Sequence, residues 1–297
     1  MQTYTKINTL YKRYQRLSKK EFPNIPNEDW RKFANQIIIG EFSDSIMKSL
    51  YKVAMDASEK IDGTNSKIAF YPSTGTYKVG GKTDKAQSQS GQFERLTEIA
   101  ERILPILREM FPPETAKFAP VLGSDNKPIY WNYSEEELLG TPDKDGFYIT
   151  KLEEVPVYLY GEYYGPGIQS GGYYRKDNDF ILFDINQQGW WLPRNEFNEL
   201  AEKLSIPTVP YMNEMSIEDA EKIVSDGFPT AIGDSGHFAE GIVLKHPYLK
   251  DSRGNRIIVK IKYRDYRDYS NVRSQFTDEE FEKFNKWYFE NVEKNVL

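Results

Sequence analysis

Six short strand-like runs, with helical segments between some of them, constrain the fold of this sequence more than any other feature. β-Branched and aromatic residues favour extended structure, and they are concentrated in these runs. Helices are predicted between them, at about Gln92–Glu109, Arg194–Leu204 and Ser216–Ser225. The six runs are Ser66–Tyr71, Thr76–Gly80, Val155–Glu162, Phe180–Ile185, Glu240–Lys245 and Arg256–Tyr263.

The best-marked helix is the last one. Thr277 is followed three positions later by Glu280, a capping-box pattern that is typical of a helix N-terminus. Apolar residues then recur at helical spacing, which predicts a stripe packed against the core. These residues are Phe281, Phe284, Tyr288 and Val292.

Composition excludes several classes of protein. The chain has 297 residues, 39% of them hydrophobic, which is enough for a sizeable core. Cysteine is absent, so a disulfide framework and a thiolate zinc site are excluded, and two histidines, His237 and His246, are too few for a histidine metal cage. No apolar run approaches the roughly 18 residues of a membrane span, and the first residues do not resemble a signal peptide. We therefore expect a soluble cytoplasmic protein that does not bind membranes.

The charge is unevenly distributed along the chain. The formal net charge is −6, yet residues 1–20 contain six basic residues and no acidic one. Residues 250–273 contain eight basic residues against three acidic ones. These segments predict either a positive cleft for an anionic ligand or two solvated faces.

One short motif carries recognisable chemistry. Lys60-Ile61-Asp62-Gly63-Thr64-Asn65 lies just before the first strand-like run. A Lys-x-Asp-Gly match is weak by itself, because a polar turn can contain it by chance. Four later segments strengthen it because they follow in one order. They are Tyr160-Gly161-Glu162, Phe183-Asp184-Ile185, Glu240-Gly241-Ile242-Val243-Leu244-Lys245 and Val259-Lys260-Ile261-Lys262.

In these residues the sequence resembles the covalent nucleotidyltransferases, the superfamily of ATP-dependent DNA and RNA ligases and mRNA capping enzymes. It is most similar to the phage-type RNA ligases, over roughly residues 20–267. DNA ligases and capping enzymes usually have Arg two places after the motif glycine, where this chain has Asn65. Related RNA ligases usually have Arg where this chain has Lys82. The stretches that carry the RNA ligase resemblance are Glu59–Asn65, Gly80–Gln87, Leu159–Gln169 and Phe180–Ile185.

The resemblance implies an α+β fold, an ATP-grasp-like ligase adenylation (nucleotidyltransferase) domain with antiparallel sheets flanked by helices. We expect this domain over residues 46–267, with an irregular insertion near 112–150. Residues 1–45 are expected to form a basic extension packed on it, and residues 268–297 a short helical tail. Only 35 residues follow Lys262. An OB-fold needs roughly 70–100 residues, so we expect no C-terminal OB-fold.

The resemblance also implies roles for individual side chains. Lys60 would be the nucleophile. Glu162 would contact the nucleotide ribose, and Phe183 would stack on the adenine, although Phe183 could equally be a core residue. Glu240 would lie near the reacting phosphate and bind a divalent ion. The implied catalytic residues are Lys60, Asp62, Glu240, Lys260 and Lys262, and the implied nucleotide-binding residues are Glu59, Lys60, Ile61, Asn65, Lys82, Glu162, Phe183, Asp184, Lys245, Lys260 and Lys262.

Elementary chemistry supports these roles. A lysine that attacks a phosphate must be neutral, but with a free pKa near 10.4 only about one lysine in a thousand is neutral at physiological pH. Neighbouring cations favour loss of the proton. Lys260 and Lys262 are two residues apart in a strand-like run, so they share one face, while the alternate residues Ile257, Val259 and Ile261 suit burial.

Strand alternation makes a second prediction about the nucleotide site. It places Phe183 on one face with Ile181 and Ile185, and Asp184 on the other face.

These inferences lead to an ATP-dependent RNA ligase that joins 5′-phosphate and 3′-hydroxyl ends through a lysyl-AMP intermediate. We expect ATP and Mg²⁺, with Mn²⁺ as a possible substitute, and a nucleic-acid partner, most simply RNA. A monomer in a bacterial or phage-infected cell is favoured. The alternatives are a minimal DNA ligase that seals nicks, a GTP-using capping enzyme, and a non-catalytic nucleic-acid-binding derivative of the fold.

Overall fold

The computed structural model describes residues 4–5, 7–81, 93–112, 156–187, 189–233 and 236–293, and the backbone of four short strands between 115 and 151. The chain divides into two compact units. The first unit contains residues 1–4 and 63–208, and the second contains residues 5–62 and 209–297. The boundary between the units therefore falls inside the lysine motif, between Asp62 and Gly63.

The secondary structure contains many strands and six α-helices among the described residues. The strands are β1 (Asn8–Thr9), β2 (Tyr11–Arg13), β3 (Ile37–Phe42), β4 (Met55–Lys60), β5 (Thr64–Tyr71), β6 (Thr76–Gly81), β7 (Thr115–Phe118), β8 (Val121–Leu122), β9 (Pro128–Ile129), β10 (Tyr148–Lys151), β11 (Val157–Tyr164), β12 (Asp179–Gln187), β13 (Trp190–Trp191), β14 (Tyr211–Met215), β15 (Gly241–Lys250) and β16 (Arg256–Lys262). The helices are α1 (Ser45–Ser49), α2 (Glu94–Met110), α3 (Arg194–Lys203), α4 (Ile217–Asp226), α5 (Tyr263–Arg273) and α6 (Asp278–Asn291), with short 3-10 helices at Glu28–Phe33 and Gly171–Tyr173.

The second unit is built on a five-stranded sheet in the order β1-β16-β15-β4-β14. β1 pairs with β16 in parallel, and the other neighbours are antiparallel. One face of the sheet is apolar and packs against residues of α4 and α5. Ile257, Val259 and Ile261 are buried in this core, whereas Lys260 and Lys262 are partly exposed. The predicted alternation along this strand is therefore confirmed.

A separate core in the second unit anchors the last helix. Thr277 caps α6 with the complete capping box that the sequence predicts. Phe284, Tyr288 and Val292 are buried, and Phe281 packs against them. Their partners in this cluster include Tyr14, Leu17, Trp30 and Phe33. The predicted apolar stripe is thus core, and it holds the N-terminal part of the chain.

The first unit is built on the sheet β13-β12-β11-β5-β6, whose described neighbours are all antiparallel. One face is covered by α2 and α3, and this core includes Ile68, Leu159, Leu182 and Ile185. The other face of the sheet is left for polar and aromatic residues.

The α+β fold class with antiparallel sheets and flanking helices is confirmed. Each of the six predicted strands and four predicted helices exists, with ends shifted by up to a few residues. The largest shift is in β15, which continues to Lys250 rather than ending at Lys245. Most of the predicted insertion at 112–150 lies outside the described residues. In the described part of the chain, no helix combines the length and apolar character needed to cross a membrane.

Candidate active site

The predicted nucleophile Lys60 is the last residue of β4, which lies between β15 and the edge strand β14 in the second unit's sheet. Gly241 of the adjacent β15 pairs with Lys60 on one side and with Lys262 of β16 on the other. This register places Glu240, the residue before Gly241, between the two lysines. Lys60 Nζ donates to Glu240 Oε2 at 2.6 Å, and Lys262 Nζ lies 2.6 Å from Glu240 Oε1. One carboxylate therefore bridges two ammonium groups.

Burial strengthens this ion-pair group. The side chains of Lys60 and Glu240 are 17% and 13% exposed, and that of Lys262 is 31% exposed. Lys60 Nζ also donates to the carbonyl oxygen of Ile61 at 3.3 Å. These contacts fix the amine at the end of its strand while leaving it accessible.

Gly241 permits the close spacing of these strands. Its φ is +155°, and a Cβ built there would lie 1.9 Å from the carbonyl oxygen of Ile261. No side chain fits at that distance, so any other residue would push β15 away from β16. The glycine after Glu240 is therefore a geometric requirement of the lysine–glutamate–lysine bridge.

Two further predicted lysines lie on the same face of this sheet. Val243 of β15 is two residues after Gly241, and it pairs with Lys260 and with Ser58. Lys245 is two residues further along β15, on the same face, and pairs with Asp56. Because side chains alternate along a strand, Lys60, Lys245, Lys260 and Lys262 all project from the face opposite the apolar core. The structure thus brings four predicted lysines onto one surface.

Glu59 lies on the opposite side of β4 and is 2% exposed. Its carboxylate accepts hydrogen bonds from the hydroxyl of Thr230 and from the backbone N–H of Ala231 at 2.9 Å. Burial raises the pKa of the Glu59 carboxyl, and the two hydrogen bonds oppose that change. Ile61 is buried, and Asp62 lies in the connection from β4 to β5. Glu59 therefore ties the reactive strand to the loop that precedes β15.

In the first unit, the motif glycine packs directly against Glu162. A Cβ built on Gly63 would lie 2.6 Å from Glu162 Cγ and 2.6 Å from the carbonyl oxygen of Tyr163. Asn65 is the cross-strand partner of Glu162, so their side chains share a face. The predicted strand ended at Glu162. In the structure β11 continues to Tyr164, so Glu162 is not at its end. The first unit thus brings Gly63, Asn65 and Glu162 together.

Phe183 occupies a bulge in β12. Tyr160 pairs with Asp184, but the next residue, Gly161, pairs with Leu182, so Phe183 has no opposite residue on β11. The predicted sharing of one face by Phe183, Ile181 and Ile185 is wrong, because the bulge interrupts the alternation of side chains. Ile185 joins Leu182 in the core, whereas Phe183 is only partly buried.

Asp184 is 5% exposed and is held by a residue that sequence reasoning missed. Tyr4 OH donates to Asp184 Oδ2 at 2.6 Å. The Tyr4 ring also contacts Phe183, with ring centroids 5.1 Å apart, and packs against Tyr160 and Trp191. No local pattern relates residues 4 and 184, so only the fold reveals this contact.

Lys67 is a second residue that the sequence analysis missed. It is 1% exposed and pairs with Tyr160 in the sheet, on the same face as Asn65 and Glu162. The signal was available, since Lys67 is two residues after Asn65 in a predicted strand. A fully buried cation needs compensation from nearby negative or polar groups.

We expect Tyr4→Phe to lower stability and weaken nucleotide binding. The substitution keeps the ring but removes a hydroxyl donor from a buried carboxylate, which typically costs about 1–3 kcal/mol. The free energy of unfolding should fall by that amount, and the KM for ATP in AMP labelling should rise. Tyr4→Ala should be worse on both measures because it also removes the ring contacts. Equal stability of Tyr4→Phe and the wild type would show that the hydrogen bond is unimportant.

The residues present fit a nucleotide and a divalent ion. Four lysines on one face suit phosphate groups. Among the described residues no group of three or more His, Asp or Glu could hold a metal by itself. Mg²⁺ commonly binds through one or two carboxylates together with substrate phosphates, and Glu240 suits that mode. Lys82, the remaining predicted site residue, lies outside the described residues.

Comparison with known proteins identifies the family to which the chain belongs. The family model described as RNA ligase matches residues 56–262, which include Lys60, Glu162, Glu240, Lys260 and Lys262. The match extends over more than half of the chain. The chain therefore belongs to the RNA ligase family. Comparison of the sequence with curated proteins gave no match.

Solved structures of the Naegleria gruberi RNA ligase resemble the chain at low identity. An apo variant has 16% identity and a TM-score of 0.47, covering 76% of this chain and 54% of that one. A variant with AMP and manganese has 16% identity and a TM-score of 0.48, with coverages of 77% and 55%. A variant with ATP and manganese has 17% identity and a TM-score of 0.48, with coverages of 91% and 64%. This chain spans about half to two thirds of the length of those proteins.

Proposed function

We propose that the protein is an ATP-dependent RNA ligase that joins 5′-phosphate and 3′-hydroxyl ends. The observation that carries the proposal is the bridge from Lys60 through Glu240 to Lys262, inside the family match. An accessible amine at a strand end, surrounded by further lysines, is suited to attack a phosphate that those lysines bind.

The proposed reaction has three steps. Lys60 Nζ attacks the α-phosphate of ATP, a nitrogen–phosphorus bond forms, and pyrophosphate leaves. The 5′-phosphate of an RNA strand then displaces Lys60 and takes the AMP. Finally a 3′-hydroxyl attacks that activated 5′-phosphate, the phosphodiester bond forms, and AMP leaves.

The side chains of the second unit supply the charge for this chemistry. Lys260 and Lys262 neutralise the phosphates, and Lys245 extends the same positive face. Glu240 holds Lys60 and Lys262 through its two carboxylate oxygens, and it is the residue that would hold a divalent ion once the nucleotide is bound. A divalent ion would add positive charge at the transferring phosphate. Releasing the carboxylate from Lys60 favours the neutral amine that the attack requires.

The first unit supplies the proposed contacts with the nucleoside. Glu162 is aligned with Asn65 and suits a ribose hydroxyl, and the partly exposed ring of Phe183 suits stacking on adenine. Asp184, which accepts a hydrogen bond from Tyr4, lies next to Phe183 at the bulge. We keep Lys82 as a proposed contact with the phosphate of the acceptor strand.

Incubation with ATP and Mg²⁺, followed by intact mass spectrometry, tests the proposal. We expect a mass increase of one AMP after incubation with ATP, and no GMP adduct after incubation with GTP. Joining of matched RNA and DNA nicks, assayed side by side, then separates an RNA ligase from a minimal DNA ligase. No AMP adduct with any divalent ion would favour a non-catalytic derivative of the fold, and labelling by GTP alone would favour a capping enzyme.

A further inference from the structure

The outer end of the β15–β16 hairpin has a feature that the proposed reaction does not use. Tyr248 is 84% exposed and Leu249 is 48% exposed, although both belong to a strand whose first half is buried in the core. Lys250 and Arg253 beside them are also exposed. We call residues 246–253 the hairpin tip.

A bulge presents the aromatic ring. Lys245 pairs with Ile258 and Lys250 pairs with Arg256, so four residues of β15 lie opposite one residue of β16. His246 Nδ1 accepts hydrogen bonds from the backbone N–H groups of Tyr248 at 3.2 Å and Leu249 at 3.0 Å. Bulges of this kind redirect side chains near functional sites. Here the extra residues turn Tyr248 away from the sheet.

The turn beyond the bulge is also stabilised by side-chain hydrogen bonds. Asp251 Oδ1 accepts from the backbone N–H groups of Arg253 at 2.9 Å and Asn255 at 2.8 Å, and Oδ2 accepts from the Asn255 side chain at 3.1 Å. Both carboxylate oxygens of Asp251, the acidic residue of the tip, therefore accept hydrogen bonds from the turn itself. The tip therefore presents an exposed ring and two exposed cations on a fixed backbone.

We propose that the hairpin tip binds a single-stranded segment of RNA, with Tyr248 stacking on a base and Lys250 pairing with a phosphate. Exposed aromatic rings combined with basic residues are the usual means of binding single strands without reading their sequence. This inference rests on the proposed function, because it assigns the tip a role toward the same substrate.

The position of the tip in the fold puts it within reach of an RNA strand whose end lies at the Lys60–Glu240–Lys262 bridge. β15 begins at Gly241, beside the Lys60–Glu240–Lys262 bridge, and pairs with Lys262 there, whereas Lys250 of the tip pairs with Arg256. Lys262 and Arg256 are six residues apart on β16, so at about 3.3 Å per residue the bridge and the tip are on the order of 20 Å apart. A stacked strand advances about 3.4 Å per nucleotide, so the tip would contact a base about six nucleotides from the reacting end.

Binding of labelled RNA tests the proposal without requiring catalysis. The probe is a single strand of about 20 nucleotides with a 5′-hydroxyl, which cannot be adenylated. Tyr248→Ala should weaken its binding by about 5- to 100-fold, because one stacked base is lost. Tyr248→Phe should bind like the wild type. The matched control is Trp190→Ala, which removes an exposed aromatic ring of the first unit.

Salt dependence separates the two contacts. Lys250→Ala should reduce the slope of log K against log salt by about 0.7, the value for one phosphate of a single strand. Tyr248→Ala should leave that slope unchanged, since stacking releases no counterion. An equal loss of affinity in Trp190→Ala, or none in Tyr248→Ala, would overturn the proposal.

Two further readouts keep the interpretation clear. Thermal unfolding of each variant should match the wild type, because the altered side chains are exposed. Sedimentation with phosphatidylserine vesicles tests a membrane as the partner, and Tyr248-dependent vesicle binding with unchanged RNA affinity would overturn the RNA assignment. AMP labelling of the wild-type protein tests the proposed function separately, so a failure of either hypothesis is distinguishable from a failure of the other.

Discussion

Lys60→Ala is expected to abolish the AMP adduct and all joining of 5′-phosphorylated strands. Lys60 is the proposed nucleophile, and its Nζ lies 2.6 Å from Glu240 at the end of β4. Loss of a nucleophile removes a covalent step that neighbouring groups cannot replace, so labelling should fall by a factor of about a thousand or more. Transfer of AMP from labelled ATP to the protein measures this directly.

Three companion measurements make this result specific. Lys60→Arg keeps a cation beside Glu240 but supplies no neutral amine, so it should fold and remain unlabelled. Lys48→Ala, which removes an exposed lysine of α1, should label normally. Lys60→Ala should still join a strand that is already adenylated, because the last step does not use the lysine bond. Normal labelling of Lys60→Ala would contradict the assignment.

Much of the second unit's site was predictable because it depends on strand periodicity. Lys260 and Lys262 alternate with buried apolar residues, and a residue period of two is the same in every strand. The family resemblance supplied Lys60 and Glu240. What the sequence could not supply was the register, in which Gly241 pairs with both lysines and places Glu240 between them.

The first unit shows where such reasoning fails. The position of Phe183 depends on a bulge between β11 and β12, and an extra residue in one strand reverses the faces of the residues that follow. The contact between Tyr4 and Asp184 joins positions 180 residues apart, so it depends on tertiary structure alone. His246 was considered only as a metal ligand, and the hydrogen bonds that it accepts in the bulge depend on the backbone around it.

The second large effect concerns Lys262, for which we propose two functions because of its place in the bridge. It is the proposed cation for the phosphates, and it shares the Glu240 carboxylate with Lys60. Without Lys262, the carboxylate would pair with Lys60 alone. That pairing favours the charged form of the amine, which cannot attack. Removal of Lys262 should therefore impair both binding of the phosphates and activation of the nucleophile.

We expect Lys262→Met to slow AMP labelling at saturating ATP by about a hundredfold or more, the usual cost of losing one preorganised charge contact. Methionine keeps the length and apolar stem of lysine, so β16 and the start of α5 should remain folded. Lys262→Arg should recover part of the rate because it restores the charge, although its planar group cannot reproduce the position of an ammonium. Lys48→Met is the matched control for loss of a lysine. If Lys262→Met labels at the wild-type rate while circular dichroism shows a folded protein, Lys262 is a surface lysine and the bridge has no catalytic role.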